Sequence, residues 1–306
     1  MKCVLLTGGT SQLGVFLLPR LLRAGCRILA PSRRIRPGQS REPARAGGRL
    51  SWIHPSDLGS ESGSAAADTR PDALVSAGPV GLAPEWVPFC REGARVVCFS
   101  SSSVLVKADS PDQQERSMMA SMRAAEDRLR QACAERAGML CLLRPTLIYG
   151  CGLDANLSRI ARWVRRFRFL PVAGPASGLR QPVHADDLAA LAMRALEALP
   201  DFPAEAVVPG GETISFRVMT ERVFEAFDLP PRVMGLPPAA LAAAVSLAGV
   251  FQRDSAASTQ MVWRQNRDLV FDDGGIWSRS GHAPREFHPS PADFVVPAST
   301  AELLPG

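Results

Sequence analysis

The stretch TGGTSQLG, residues 7–14, follows the apolar run CVLL and leads into the leucine-rich pattern VFLLPRLL. A buried strand that ends in glycines and passes at once into a helix is the opening unit of a parallel α/β sheet. Gly8 and Gly14 hold the outer positions of a G-x-x-G-x-x-G pattern, and Ser11 replaces the middle glycine. Glycine there permits a tight turn and close helix–strand packing. It also lets backbone approach an anion at the helix N-terminus.

Outward from this turn, short apolar runs alternate with helical patterns. CRILAPS, LSWIHPSDL, DALVSAG, ARVVCFSSSS and MLCLLRPTLIYG read as further strands. The spacing predicts helices over 13–24 and 117–136, and a Gly/Pro/Arg-rich loop over 37–48. Continuous apolar strands separated by helices imply a parallel sheet covered on both faces. The expected fold is α/β: a doubly wound, Rossmann-like parallel sheet with a smaller, mostly helical C-terminal lobe. Residues 1–155 would form the dinucleotide-binding domain, whose core also takes in about 180–200. Residues 156–290 would form a substrate lobe interleaved with that core, with helices over 157–169, 216–227, 238–251 and 259–266. QPVHADDLAALAMRALEAL reads as a strand passing into a helix capped by Asp186 or Asp187. The proline- and alanine-rich residues 291–306 are expected to be a loosely ordered tail.

Composition sets limits. The chain has 306 residues, 46% of them hydrophobic and 21% charged, as in ordinary globular proteins. Net charge is +5, and of 35 basic residues only Lys2 and Lys107 are lysine. Seven scattered cysteines, in no CxxC pair, sit in apolar runs. They read as small buried hydrophobes of a reducing compartment and argue against a disulfide scaffold or a metal site. The opening run is strand-like and lacks the pattern of a secretory leader. The apolar stretch 239–251 is shorter than the roughly 20 residues a span needs. A cytoplasmic protein with no transmembrane segment is expected, with peripheral membrane contact left open.

The turn assigns a first set of ligand-facing residues: Gly8, Thr10, Ser11, Gln12, Leu13 and Gly14. Unpaired N–H groups and the positive end of the helix dipole favour a pyrophosphate there. NAD sites usually carry an acid at the end of the second strand to bind the ribose hydroxyl. Here that end reads APSRRIR. Ser32 and Arg33, with Arg34 beside them, suit a 2′-phosphate through charge-assisted hydrogen bonds. NADP is the expected cofactor and NAD the alternative. Asp57 and Leu58 would frame the adenine, and Ala77 and Gly78 would admit backbone approach.

TGGTSQLG, FSSSS, LRPTLIYG and RQPVHADDLA, in this order, resemble the short-chain dehydrogenase/reductase superfamily in its extended or atypical branch. This is the branch of nucleotide-sugar epimerases and dehydratases, and the resemblance covers roughly residues 1–290. It implies hydride transfer at a hydroxyl-bearing carbon, with a serine orienting the oxygen. It also implies a YxxxK pair acting as acid/base and ribose clamp. Ser102 matches the serine, with Ser101 its near alternative, and Pro145 matches the border of the nicotinamide. The YxxxK frame falls on MASMRAAED, with Met119 at the tyrosine position and Arg123 at the lysine position. Methionine has no proton to exchange, and arginine does not titrate near neutrality. Arg123 retains the capacity to bind ribose or phosphate. Substitute acid/bases are Lys107, five residues past Ser102, and Tyr149, the chain's one tyrosine. His184 reads as part of the fold.

Arg180 corresponds by resemblance to a region that contacts a substrate phosphate. The pattern SRIARWVRRFRF places Arg159, Arg162 and Arg165 or Arg166 near one helical face. A phosphate-bearing or lipid-linked small molecule is the expected substrate. The absence of a nucleic-acid motif argues against nucleic acid, and a homodimer stays open. Two functions follow. One is an NAD(P)-dependent oxidoreductase or epimerase with an atypical acid/base set. The other is a non-catalytic NAD(P)-binding regulatory or assembly protein, like the NmrA-like regulators or the dinucleotide-binding subunit of respiratory complex I.

Overall fold

Apolar runs too uniform for a half-exposed surface become central strands. In the computed structural model, which describes residues 3–58, 70–198, 200–243 and 259–305, they build one eight-stranded sheet. Its members are β1 (Cys3–Thr7), β2 (Arg27–Pro31), β3 (Ser40–Arg41), β4 (Leu50–Ile53), β5 (Ala73–Ser76), β6 (Arg95–Phe99), β7 (Met139–Pro145) and Glu205–Val208. All neighbours run parallel except β3, which pairs antiparallel with β4 at one edge inside the expected loop. Spatial order passes from Glu205–Val208 through β7, β6, β5, β1, β2 and β4 to β3. The order reverses direction beside β1, which places the ligand edge at the carboxyl ends of β1, β5 and β6.

Helices cover both faces. On one face α1 (Gly14–Arg23) buries Leu17, Leu18 and Leu21 against Leu188 and Leu191 of the helix that follows His184. On the other, the short α2 (Ala83–Trp86) and the long α4 (Gln113–Glu135) bury Ala83, Ala125 and Leu129 against Leu5, Leu74 and Val96. Each fully buried leucine contributes about 1.5–3 kcal/mol. α3 (Ser103–Val106) is one turn between β6 and α4. α4 starts earlier than its apolar pattern suggested, because the Asp112 carboxylate accepts from the N–H groups of Gln114 and Glu115.

The lobe mixes helices with strand pairs. β8 (Ile148–Tyr149) pairs with β11 (Val183–His184), β9 (Leu170–Ala173) with β14 (Val233–Leu236), and β10 (Leu179–Arg180) with β13 (Ile214–Ser215). β12 is the Glu205–Val208 edge strand already described. α5 (Leu157–Phe167) and α7 (Phe216–Glu225) pack on these pairs, and α6 (Ala185–Ala198) returns to the core beside α1. The expected helix over 238–251 lies outside the described residues beyond 243, and the last one spans Thr259–Arg264.

Two expectations are corrected. The tail is not loose: Thr300 Oγ1 donates to the Val15 carbonyl at 2.9 Å, and Trp52 Nε1 donates to the Leu303 carbonyl at 2.7 Å. Buried acceptors and a buried indole N–H need partners, and the tail supplies them. Neither aspartate caps α6. The helix begins at Ala185, and the Asp186 N–H donates to His184 Nδ1 at 3.0 Å. The Asp186 carboxylate goes to Arg20, and that of Asp187 to Arg285. All seven cysteines are free and buried. Among the described residues, no helix is long and apolar enough to cross a membrane.

Candidate active site

At the sheet's ligand edge, the β1–α1 turn meets the exit of β5 backbone to backbone. Gly8 holds a left-handed φ of +70°, and a Cβ there would lie 2.5 Å from the Ala77 carbonyl carbon. A Cβ on Gly14 would lie 2.5 Å from the Gly9 carbonyl. Ser11, in the place of the missing glycine, accepts the Gly14 N–H on its Oγ at 3.1 Å. The backbone N–H groups of Gln12 and Leu13 have no partner among the described residues. The buried Gln12 Oε1 also has none. Two free amides at a helix N-terminus, reached over bare glycine backbone, fit a pyrophosphate.

The other cofactor candidates lie along the same edge. Ser32 and Arg33 follow β2, where no carboxylate is present; Arg33 is exposed, and Ser32 Oγ accepts the Arg34 N–H at 3.3 Å. Asp57 accepts the Gly38 N–H at 2.8 Å and so ties down the loop after β2. Leu58 is half-buried.

Beside the turn, between the core and the lobe, opens a cavity of about 1060 Å³. Gln12 and Pro145 line it, as do Ser102, Lys107, Met119 and Arg180. The other proposed cofactor residues lie outside its walls. Ser102 is buried at the start of α3, its N–H donating to the Pro145 carbonyl at 3.0 Å, and this bond fixes the β6 exit against β7. Lys107 ends the same turn. Its Nζ stands 3.6 Å from Glu115, and the other oxygen of that carboxylate accepts from Arg264 at 2.7 Å. Burial depresses the Lys107 pKa, the Arg264 charge depresses it further, and Glu115 opposes both. Glu115 itself is held below the ordinary carboxylate range: burial raises it, but hydrogen bonds from Arg264 and Ser110 and the charges of Lys107 and Arg264 together outweigh burial.

Three expectations change here. Tyr149 does not line the cavity. It is 2% exposed, edge-on to Phe287 and His184 in the lobe's apolar cluster, and burial drives its pKa far upward. Arg123 is exposed and reaches the Val104 carbonyl at 2.9 Å, away from the cavity. A longer side chain than lysine, on an outward turn of α4, finds that carbonyl first. Arg180 does reach the wall, but it donates to the carbonyls of Leu179, Arg264 and Arg267 and stacks on Phe216. It braces the lobe. Burial, then repulsion from Arg264, lowers its pKa to about 10. Met119 is buried on the wall, so a thioether faces the cavity at the position where the YxxxK frame expects a phenol. His184 is locked between Asp293 and the Asp186 N–H.

Sequence reading missed Glu115 and Arg264. Glu115 had a signal, being an acid in the first turn of α4, four residues before Met119. Arg264 had none, because it meets Glu115 across 149 residues. Among the described residues no cluster could hold a metal.

No protein-family model matches the sequence, and no curated protein matches it. Solved structures do. MoeE5 in complex with UDP-glucose and NAD superposes with a TM-score of 0.63 at 20% identity, over 92% of this chain and 93% of that one. WbmH of Bordetella bronchiseptica in complex with NAD+ gives 0.65 at 16% identity, over 98% of both chains. UDP-glucuronic acid 4-epimerase of Bacillus cereus, with UDP-glucuronic acid and NAD, gives 0.64 at 14%, over 93% and 94%. Over nearly its whole length, the chain shares the fold of these structures.

Proposed function

We propose that the chain is an NAD(P)-dependent oxidoreductase or epimerase that uses Lys107 as its acid/base on a phosphate-bearing small molecule. One observation carries this reading. Ser102 and Lys107 bracket the same helical turn on the cavity wall, while Tyr149 and His184 are sealed in the fold. The fold's NAD-bound neighbours support the cofactor, and the free amides of Gln12 and Leu13 would hold its pyrophosphate. The absence of an acid after β2, with Ser32 and Arg33 in its place, favours NADP. When bound, the cofactor supplies a hydride acceptor and donor. Ser102 Oγ orients a substrate hydroxyl, and Lys107 Nζ takes and returns its proton. A desolvated lysine suits that work, because burial brings its pKa toward neutrality. Arg159, on the same cavity wall, would meet an anionic substrate such as a nucleotide sugar.

Thermal shift with NADPH and NADH tests the first step, since a bound ligand raises the melting temperature. Stabilisation by neither removes the redox reading. Turnover of nucleotide sugars by the wild type, lost in Lys107→Met and reduced in Ser102→Ala, tests the second. The buried Met119 on the wall favours a second reading, a non-catalytic nucleotide-binding protein. Cofactor binding with no turnover of any nucleotide sugar would decide for it.

A further inference from the structure

We propose that the outer face of α5 docks the protein on an anionic membrane surface. The helix buries Leu157, Ala161 and Val164 and leaves Arg162, Arg165 and Arg166 in solvent. Arg168 ends it in a left-handed conformation, φ +62°, where glycine is the usual residue. These four guanidiniums surround a shallow cleft of about 460 Å³ floored by Phe227 and Leu229. None has a carboxylate or carbonyl partner among the described residues. Arg165 lies instead over the Phe227 ring at 5.3 Å.

Several arginines elsewhere are committed to carboxylates: Arg20 to Asp186, Arg144 to Glu126, Arg285 to Asp187, Arg264 to Glu115. Four uncompensated like charges on one exposed face repel one another until an anion meets them. The kind of anion follows from their neighbours. Trp163, Phe167 and Phe169 are 39%, 47% and 37% exposed on the flank of the same helix. The Trp163 and Phe167 ring centroids lie 4.4 Å apart with the planes tilted by 45°, and Trp163 Nε1 donates to the Phe169 carbonyl at 2.9 Å. This bond holds the indole in place beside the basic face. A soluble phosphate would use the arginines and leave the aromatic cluster wet. A bilayer uses both, with guanidiniums at the lipid phosphates and rings at the acyl boundary. The surface stands apart from the substrate cavity, so its test is independent of the activity proposed above.

The test is cosedimentation of the full chain with vesicles of phosphatidylcholine alone and of phosphatidylcholine with phosphatidylglycerol. Binding is expected only to the anionic vesicles and should weaken as salt screens it. Each arginine at such a surface contributes roughly fivefold. Arg162→Glu with Arg166→Glu should therefore reduce partitioning by at least about 25-fold, with the melting temperature unchanged. Trp163→Ala with Phe167→Ala should also weaken vesicle binding while sparing binding to a single-stranded oligonucleotide. Equal binding to both vesicle types, binding to neither, or an unaffected double arginine variant would overturn the proposal. So would oligonucleotide binding that outcompetes the vesicles, or a vesicle-free dimer that the Trp163 and Phe167 changes break apart.

Discussion

The two ends of one sheet edge have fared differently. At the β1–α1 turn, Gly8 and Gly14 stand where backbone touches backbone, and no side chain fits. On the β6–α4 wall, Met119 and Arg123 occupy positions where many side chains fit, because one faces a cavity and the other faces solvent. The glycines are demanded by packing, whether or not a ligand binds. A catalytic pair is demanded only by chemistry. A glycine fingerprint in this fold is thus weaker testimony to function than the residues on the opposite wall, where function alone holds a residue in place.

The largest effect is expected at Lys107. If the wall keeps its chemistry in altered form, Lys107→Met should lower turnover by roughly 10²- to 10⁴-fold, the usual share of general acid–base catalysis. Tyr149→Phe should leave turnover close to that of the wild type, because its ring is sealed away from the cavity. Steady-state kinetics on both variants decides the point. Loss of activity in the tyrosine variant with retention in the lysine variant would invert the assignment.

Next comes the scaffold behind the wall. α4 is fixed to β7 by a buried pair in which Arg144 donates to both oxygens of Glu126 at 3.0 and 2.5 Å. Ser100 Oγ donates to the same carboxylate at 2.6 Å. Glu126→Leu leaves Arg144 buried without its main partner and should cost about 3–5 kcal/mol, read from denaturant unfolding. A loss below about 1 kcal/mol would mean that Glu205, which also meets Arg144, takes over. The double variant Glu126→Leu, Arg144→Met should recover most of the loss.

At the glycine end, Gly8→Ala meets both a positive φ and the backbone of Ala77 and Gly78. Left-handed strain of about 1–2 kcal/mol adds to overpacking of about 1–3 kcal/mol. Gly25 has φ +77° and open space around it, so Gly25→Ala should cost only the strain. If the two variants lose equal stability, the turn is not held by packing and its glycines speak for a ligand after all.

Much of this was legible in sequence, for local reasons. The strand–glycine–helix turn is contiguous, and its glycines announce their own backbone. Lys107 stood out by rarity, and Ser102 by its place after an apolar strand. Tyr149 misled, because a tyrosine after a strand looks available until Phe287 and His184 close around it. The tail misled for the opposite reason: proline and alanine suggest looseness, but Trp52 and Val15, far away in sequence, hold it. Edge strands as short as β3 and pairs as distant as Glu115–Arg264 leave no periodic trace. The wall's charge balance was therefore invisible where its chemistry is decided.

That balance gives the smallest and most discriminating prediction. Burial and Arg264 push the Lys107 pKa down, while Glu115 pushes it up. If neutral Lys107 is the active base, turnover rises as pH passes upward through its pKa. Glu115→Gln removes the group that raises this pKa, so the rise should move to lower pH. Arg264→Met removes a group that lowers it, so the rise should move to higher pH. General damage to the cavity would reduce the rate in both variants without moving the two limbs in opposite directions. The pair of pH–rate profiles thus separates a working lysine from a merely buried one. Opposite displacements mean that a proton path runs through Lys107. Coincident profiles mean that Lys107 only balances Glu115.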